Sequence, residues 1–299
     1  MKFVDFNKKA WQWALFFMLA FIWGSSFILM KKGLQSYSNY QVAAFRLFFT
    51  FVFFLPFIFK HIKKLAKSNL KSILITGFLG SGFPAFLFTT AQTQISSSFS
   101  GILNSLTPIF TLVVGVMFYK AKSRWLNAVG LFIGLAGATG LIYKDAHSFL
   151  SGNHWYALFI VLATLFYGIN VNEVKFKLGS LSGVAISALS FLFTGPLCGI
   201  YLLFSDFSHA VETPHYMLNL SYIMILAFFS SFIGVIGINV LIKHVSPVVA
   251  SSTTYVIPVF AVLWGIMDGE TISFIDILWI LLIFAGVYLV NKKSNKLVV

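Results

Sequence analysis

Arg46 is a guanidinium set inside the apolar run from Tyr40 to Phe59. Two roles suit a cation so placed: a fork that meets an anionic group of a solute, or a pin that ties helices together through backbone carbonyls. Glu173, near the end of another apolar run, also has two. It is either a desolvated carboxylate that takes up protons for coupling, or an interfacial acid paired with Lys175 or Lys177. Pro108 and Pro258 each interrupt a helical ladder and free carbonyls for neighbours, water or ligand. Around them Asn104, Thr107, Thr253 and Tyr255 can contact a solute or bond across helices, with Asn104 foremost. Ser25, Ser26, Asn170 and Asn239 add uncharged donors and acceptors within apolar runs. Trp23 and Tyr167 offer aromatic walls to an apolar or cationic group, or else pack and meet lipid.

This is equipment for binding rather than for bond-breaking. The 6 histidines lie in loops or at the ends of apolar runs, and neither a Ser/His/Asp set nor paired carboxylates occur within them. Cys198 is the lone cysteine, so neither a disulfide framework nor a metal-ligand spacing exists. G-x-x-x-x-G-K-[ST] is absent, which argues against ATP hydrolysis. No catalytic residue, metal or cofactor is expected.

These residues need a scaffold, and composition says which kind. The chain has 299 residues, 59% of them hydrophobic and only 10% charged, with mean hydropathy +0.90, whereas soluble domains carry roughly a quarter charged residues. Its 36 phenylalanines exceed what the core of a protein this size can hold, and a lipid bilayer would solvate the surplus. The net charge of +13 falls in short runs between apolar stretches, such as Lys60 to Lys64 and Lys292-Lys293. That is the pattern of retention beside an anionic leaflet and not of nucleic-acid binding.

A helix needs about 20 apolar residues to cross the hydrocarbon. Ten stretches qualify or nearly so: 11–30, 40–59, 72–92, 97–119, 125–143, 154–172, 182–204, 217–241, 247–267 and 274–290. They lack the alternation of barrel strands. The first is too long for a cleaved leader and is expected to be retained. With the N-terminus in the cytoplasm, nearly all loop Lys and Arg fall on that side, and only Lys31, Lys32 and Lys144 on the other. This bias predicts cytoplasmic termini.

The chain repeats itself. Leu106-Thr107-Pro108-Ile109-Phe110 matches Val256-Ile257-Pro258-Val259-Phe260, Ala136-Gly137 matches Ala285-Gly286, and Phe21-Ile22-Trp23-Gly24 matches Leu165-Phe166-Tyr167-Gly168. A five-helix unit used twice enters the membrane from opposite sides, so the repeat is inverted, a plan of secondary transporters with a midplane site. Gly130-x-x-x-Gly134 reads as close packing inside the bundle, and a homodimer through such a face stays open.

Trp23-Gly24-Ser25-Ser26-Phe27, Phe45-Arg46-Leu47, the prolines of the fourth and ninth spans and Gly269-Glu270 resemble the motifs of EamA domains in the drug/metabolite transporter superfamily. The resemblance covers about residues 13–290. It implies an all-α integral membrane fold of ten helices in two inverted repeats, 11–143 and 154–291. It further implies a cavity lined mainly by the first, third, fourth, sixth, eighth and ninth helices, and export or exchange of small organic solutes, amino acids among them. Two departures, Tyr119-Lys120 in place of Gly-Glu and Tyr167 in place of tryptophan, bear on the solute rather than the fold. The expectation is a secondary carrier in the cell (inner) membrane, its partners a small-molecule substrate and the lipid bilayer. Rivals are an intramembrane enzyme acting on lipid-linked substrate, and a channel or receptor-like component.

Overall fold

Hydrocarbon offers backbone amides no water, so a chain this apolar satisfies them within helices. The structure, a computed structural model, describes residues 5–95, 97–142, 155–267 and 274–291, and every regular element among them is helical. In order these are α1 (Lys9–Gly33), α2 (Asn39–His61), α3 (Lys67–Gly77), α4 (Phe83–Ala91), α5 (Ser97–Asn104), α6 (Thr107–Tyr119), α7 (Trp125–Ile142), α8 (Trp155–Lys177), α9 (Gly183–Leu203), the short α10 (Ser208–Glu212), α11 (Tyr216–Leu226), α12 (Gly234–His244), α13 (Pro247–Ser251), α14 (Thr253–Met267) and α15 (Phe274–Asn291). Tyr143, Lys144, His154, Gly269, Glu270, Lys292 and Lys293 lie outside the described residues.

Among the described residues, 6 helical stretches are long and apolar enough to cross a membrane: Lys9–Gly33, Asn39–Lys64, Lys67–Ala91, Trp155–Lys177, Gly183–Leu203 and Tyr216–His244. Thr107–Tyr119, Trp125–Gly140, Pro247–Phe260 and Ile277–Val290 are apolar but shorter. Large side chains such as Phe59 (75% exposed) and Phe118 (73%) point outward, as a lipid-facing surface requires.

Two of the long stretches are wound irregularly. A π-helical turn, Phe78–Gly82, joins α3 to α4, and a second, Ala227–Ile233, joins α11 to α12. Such wide turns gather at functional sites. The expected span 97–119 is not one helix, since α5 stops at Asn104 and α6 starts at Thr107. Pro108 sits in the first turn of α6, where its missing N–H costs nothing. It therefore opens a helix instead of kinking one, and the Asn104 carbonyl it cannot serve accepts from Thr107 Oγ1 at 2.8 Å. Pro258 does lie inside α14, and the break in its span falls earlier, at Ser252, between α13 and α14.

Packing pairs α2 with α9, α7 with α15, α6 with α8 and α1 with α14. The α7–α15 crossing is close, and glycine permits it. A Cβ on Gly286 would stand 2.5 Å from the Gly134 nitrogen and 2.7 Å from the Gly130 carbonyl oxygen. The Gly130-x-x-x-Gly134 face is thus spent within the chain.

Side chains close the helix ends. Ser38 caps α2, accepting from the Gln41 amide, while the Gln41 side chain accepts from the Ser38 amide. At the other end of the bundle, Lys175 Nζ donates to the carbonyls of Ile242 (2.9 Å), Lys243 (3.2 Å) and Val245 (2.8 Å). Lys243 in turn donates to Gly179 and Leu181. The last carbonyls of a helix have no helical donor, so Lys175 serves as a cap of α12, while Lys243 ties down the connection between α8 and α9. Lys175→Met should destabilise the protein by about 1–3 kcal/mol, read as a lower melting temperature in detergent, whereas Lys177→Met should leave it unchanged.

Candidate functional site

A cavity opens where the irregular stretches meet. The centres of water molecules can range over about 120 Å³ of it, room for several waters at once and the scale of a small organic solute. Its walls are Trp23, Ser26, Phe27 and Met30 of α1, Arg46 and Leu47 of α2, Gly80, Ser81, Ala85 and Phe88 of the first wide turn and α4, Asn104 and Thr107 at the α5–α6 break, Tyr167, Asn170 and Val171 of α8, Ser230, Ser231, Val235 and Ile238 of the second wide turn and α12, and Ala250, Ser251 and Thr254 around the α13–α14 break. The second span thus joins the lining that the resemblance implied.

Arg46 is fixed from one side. Its Nε donates to Ser231 Oγ at 2.7 Å and its Nη2 to Ser230 Oγ at 3.2 Å. Side chains of adjacent residues diverge by about 100° on a regular α-helix. A wider turn lessens that angle, which lets two consecutive serines serve one guanidinium. The second wide turn also spends its carbonyls sideways: Ser230 O accepts from Trp23 Nε1 at 3.2 Å, and Ala227 O from Thr50 Oγ1 at 3.3 Å. Arg46 is therefore tied by hydroxyls rather than by the carbonyls expected for a pin.

Asn170 faces Gly80 so closely that a Cβ there would lie 2.6 Å from the Asn170 Cγ. Its Oδ1 is buried with no hydrogen-bond partner. The Tyr167 ring stacks on Phe88, centroids 6.1 Å apart. Asn104 is buried, and its Oδ1 receives only a long bond from Thr107 Oγ1, 3.4 Å.

Seven sequence candidates, Trp23, Ser26, Arg46, Asn104, Thr107, Tyr167 and Asn170, thus meet at one cavity. The others are placed elsewhere by the direction of their side chains. Ser25 donates to the Phe21 carbonyl one turn back (2.9 Å) and is not part of the lining. Thr253 donates to Ala250 O (2.7 Å), and its neighbour Thr254 takes the cavity face. Tyr255 is wholly buried, its hydroxyl donating to Leu131 O of α7 at 2.9 Å, a helix-to-helix tie. Asn239 Nδ2 donates to Ser187 Oγ of α9 at 2.9 Å, outside the lining. Pro108 and Pro258 are buried beside the cavity and not in it. Ser230, Ser231, Gly80, Ser81, Ser251 and Thr254 were missed. The signals available were the mid-span Gly-Ser-Gly at 80–82 and Ser-Ser at 230–231.

Glu173 lies one turn beyond Asn170 on α8 and is buried, 6% exposed. One carboxylate oxygen accepts from Ser72 Oγ of α3 and the other from the hydroxyl of Tyr119, the last residue of α6. The expected partners do not hold it. Lys175 is turned to the carbonyls closing α12, and among the described residues Lys177 makes no ion pair with Glu173.

Comparison with known proteins fits this architecture. The EamA-like transporter family matches residues 11–143 and again 154–292. The chain is 30% identical over 284 residues to a protein of Escherichia coli (strain K12) named "Uncharacterized inner membrane transporter YedA", covering 92% of this chain and 89% of that one. It is 22% identical over 290 residues to "Protein PagO" of Salmonella typhimurium (strain LT2), covering 94% and 93%. A solved crystal structure superposes with a TM-score of 0.71 at 14% identity, over 92% of this chain and 94% of that chain, a likeness of fold. The family and the Escherichia coli relative are named as transporters rather than as an enzyme. Matched twice and over most of its length, this membrane-embedded chain belongs to the EamA-like transporter family within the drug/metabolite transporter superfamily.

Proposed function

We propose that the protein is a secondary carrier of small organic metabolites, amino acids among them, that works as an exporter or exchanger in the inner membrane by alternating access through the central cavity. The observation that carries this is the make-up of the cavity wall. Both halves of the chain, 11–143 and 154–291, supply it, and each supplies one wide turn and one broken helix. Two pseudo-symmetric units that share a midplane site can rock about it.

Ten spans follow when the broken stretches are joined across Ser105-Leu106 and Ser252. The packing agrees, since α6 against α8 and α1 against α14 are the same contact seen from either half, and α2–α9 and α7–α15 pair equivalent helices. On this reading both termini are cytoplasmic. A single-cysteine series on a Cys198→Ala background tests that, Cys198 being the free and buried thiol. Labels at residues 5 and 291 from opposite faces would end the ten-span count.

The direct assay is counterflow in proteoliposomes. Exchange that saturates, and that solute preloaded inside accelerates, is the expected result. Flux without exchange would indicate a channel, and altered product an enzyme.

Glu173 is the candidate coupling group. It joins α8 of one half to α3 and α6 of the other, so inward opening must part these bonds. Glu173→Leu leaves two hydroxyls facing an apolar side chain and should loosen that end. The reporter is Thr76→Cys on the same background, one turn from Ser72 on α3 and itself buried. It should react several-fold faster with an impermeant maleimide in inside-out vesicles, and an unchanged rate would remove the latch.

A further inference from the structure

We propose that the connection between α2 and α3 holds an anionic phospholipid, with its phosphate among Lys60, Lys63 and Lys64 and an acyl chain along the exposed side of α2.

The apolar stretches Asn39–Lys64 and Lys67–Ala91 leave only Leu65 and Ala66 between them. The three lysines therefore stand where a membrane span ends, at the depth of lipid headgroups, and their apolar stems let the ammonium groups reach the phosphate layer. Spacings of three and four put Lys63 and Lys64 beside Lys60. All three are exposed, and their ammonium groups have no hydrogen-bond or ion-pair partner among the described residues. Glu173, an acid at the same end of the bundle, has both oxygens engaged by Ser72 and Tyr119.

The turn that carries them is fixed from within. Leu65 packs against the core, and His61 is buried with Nδ1 2.8 Å from the Phe57 carbonyl oxygen. Asn69 Oδ1 accepts from the Ala66 amide at 3.0 Å, and Asn69 Nδ2 donates to Lys64 O at 2.9 Å. A backbone already ordered loses little freedom on binding.

The surface leading into the membrane from Lys60 is apolar. Val52, Pro56 and Phe59 are all exposed, Phe59 by 75%, and spacings of four and three set them on one side of the helix. Apolar stripe and cationic cluster thus meet end to end, which is the order of parts in a phospholipid. A soluble anion would use the lysines and leave the stripe idle. A zwitterionic headgroup brings its own ammonium, which the lysines repel.

An anionic leaflet also attracts every nearby lysine diffusely, and position separates that effect from a site. Lys120, Lys122 and Lys177 are exposed at the same end. Lys120 follows Tyr119, and Lys177 lies one turn beyond Glu173, the residue that Tyr119 holds.

Native mass spectrometry of the delipidated protein in non-ionic detergent tests this with dioleoyl phosphatidylglycerol, dioleoyl phosphatidylethanolamine and glycerol 3-phosphate. Phosphatidylglycerol should be retained at concentrations about ten- to hundredfold lower than either of the others. Equal retention of the two lipids overturns the proposal, and equal retention of glycerol 3-phosphate leaves an ion site without a lipid and overturns it too. Lys60→Gln/Lys63→Gln/Lys64→Gln should weaken phosphatidylglycerol about tenfold or more, whereas Lys120→Gln/Lys122→Gln/Lys177→Gln, which removes the same charge, should weaken it less than about twofold. The same loss in both triples is the diffuse field and overturns the site. Phe59→Ser should weaken retention several-fold, and an unchanged value removes the acyl contact. These side chains are exposed, so each variant keeps the fold.

Discussion

Gly286→Leu should leave almost no folded protein in the membrane. The Cβ it adds meets backbone, at 2.5 Å from the nitrogen and 2.6 Å from the Cα of Gly134, and backbone in the middle of a helix cannot swing aside. α7 and α15 would have to part along their whole seam, which forfeits more than the roughly 1–3 kcal/mol of ordinary overpacking. Fluorescence-detected size exclusion of a tagged chain reads this directly. A sharp monodisperse peak at wild-type yield would show that the two helices are not held as described.

Arg46→Ala should have the largest effect on transport with the fold retained. Its bonds to Ser230 and Ser231 join a cation to neutral hydroxyls, and losing them is offset because the cation no longer needs to be held away from water. Counterflow should fall about ten- to hundredfold, the worth of hydrogen bonds to a charged group, while yield and melting temperature change little. If folded protein falls in step with transport, Arg46 serves to hold α2 against the wide turn at 227–233 and not to meet the solute.

The all-helical membrane fold was legible because hydropathy is set by the bilayer, which acts on every span alike. The α2 stretch is an example: a guanidinium among Phe45, Leu47 and Phe48 must turn into the bundle in lipid, whether to meet a solute or to tie helices. Proline was harder to read, since the residue suits both a first turn and a kink. Pro108 took the first place and Pro258 the second, and only the neighbouring chain decides between them. Tyr255 and Thr254 show a different limit. One residue apart on α14, the first sends its hydroxyl to Leu131 and the second faces the cavity, because direction around a helix depends on the winding above it. Ser230 and Ser231 were hidden for the same reason. As residue types they read as helix glue, and their joint hold on Arg46 exists only because Ala227–Ile233 is wound wide.

That winding carries a consequence for the helix at 67–91 as well. The turn at Phe78–Gly82 takes up one residue more than regular geometry needs, so the stretches on either side keep the facing of an unbroken helix one residue shorter. Deleting a single amino acid there would restore uniform pitch with little rotation, and Ser72 would still face Glu173. Deleting one from the regular stretch at 73–77 would instead turn Ser72 by about 100° relative to Gly80 and away from Glu173, while a hydropathy plot of either shortened chain would look the same as before.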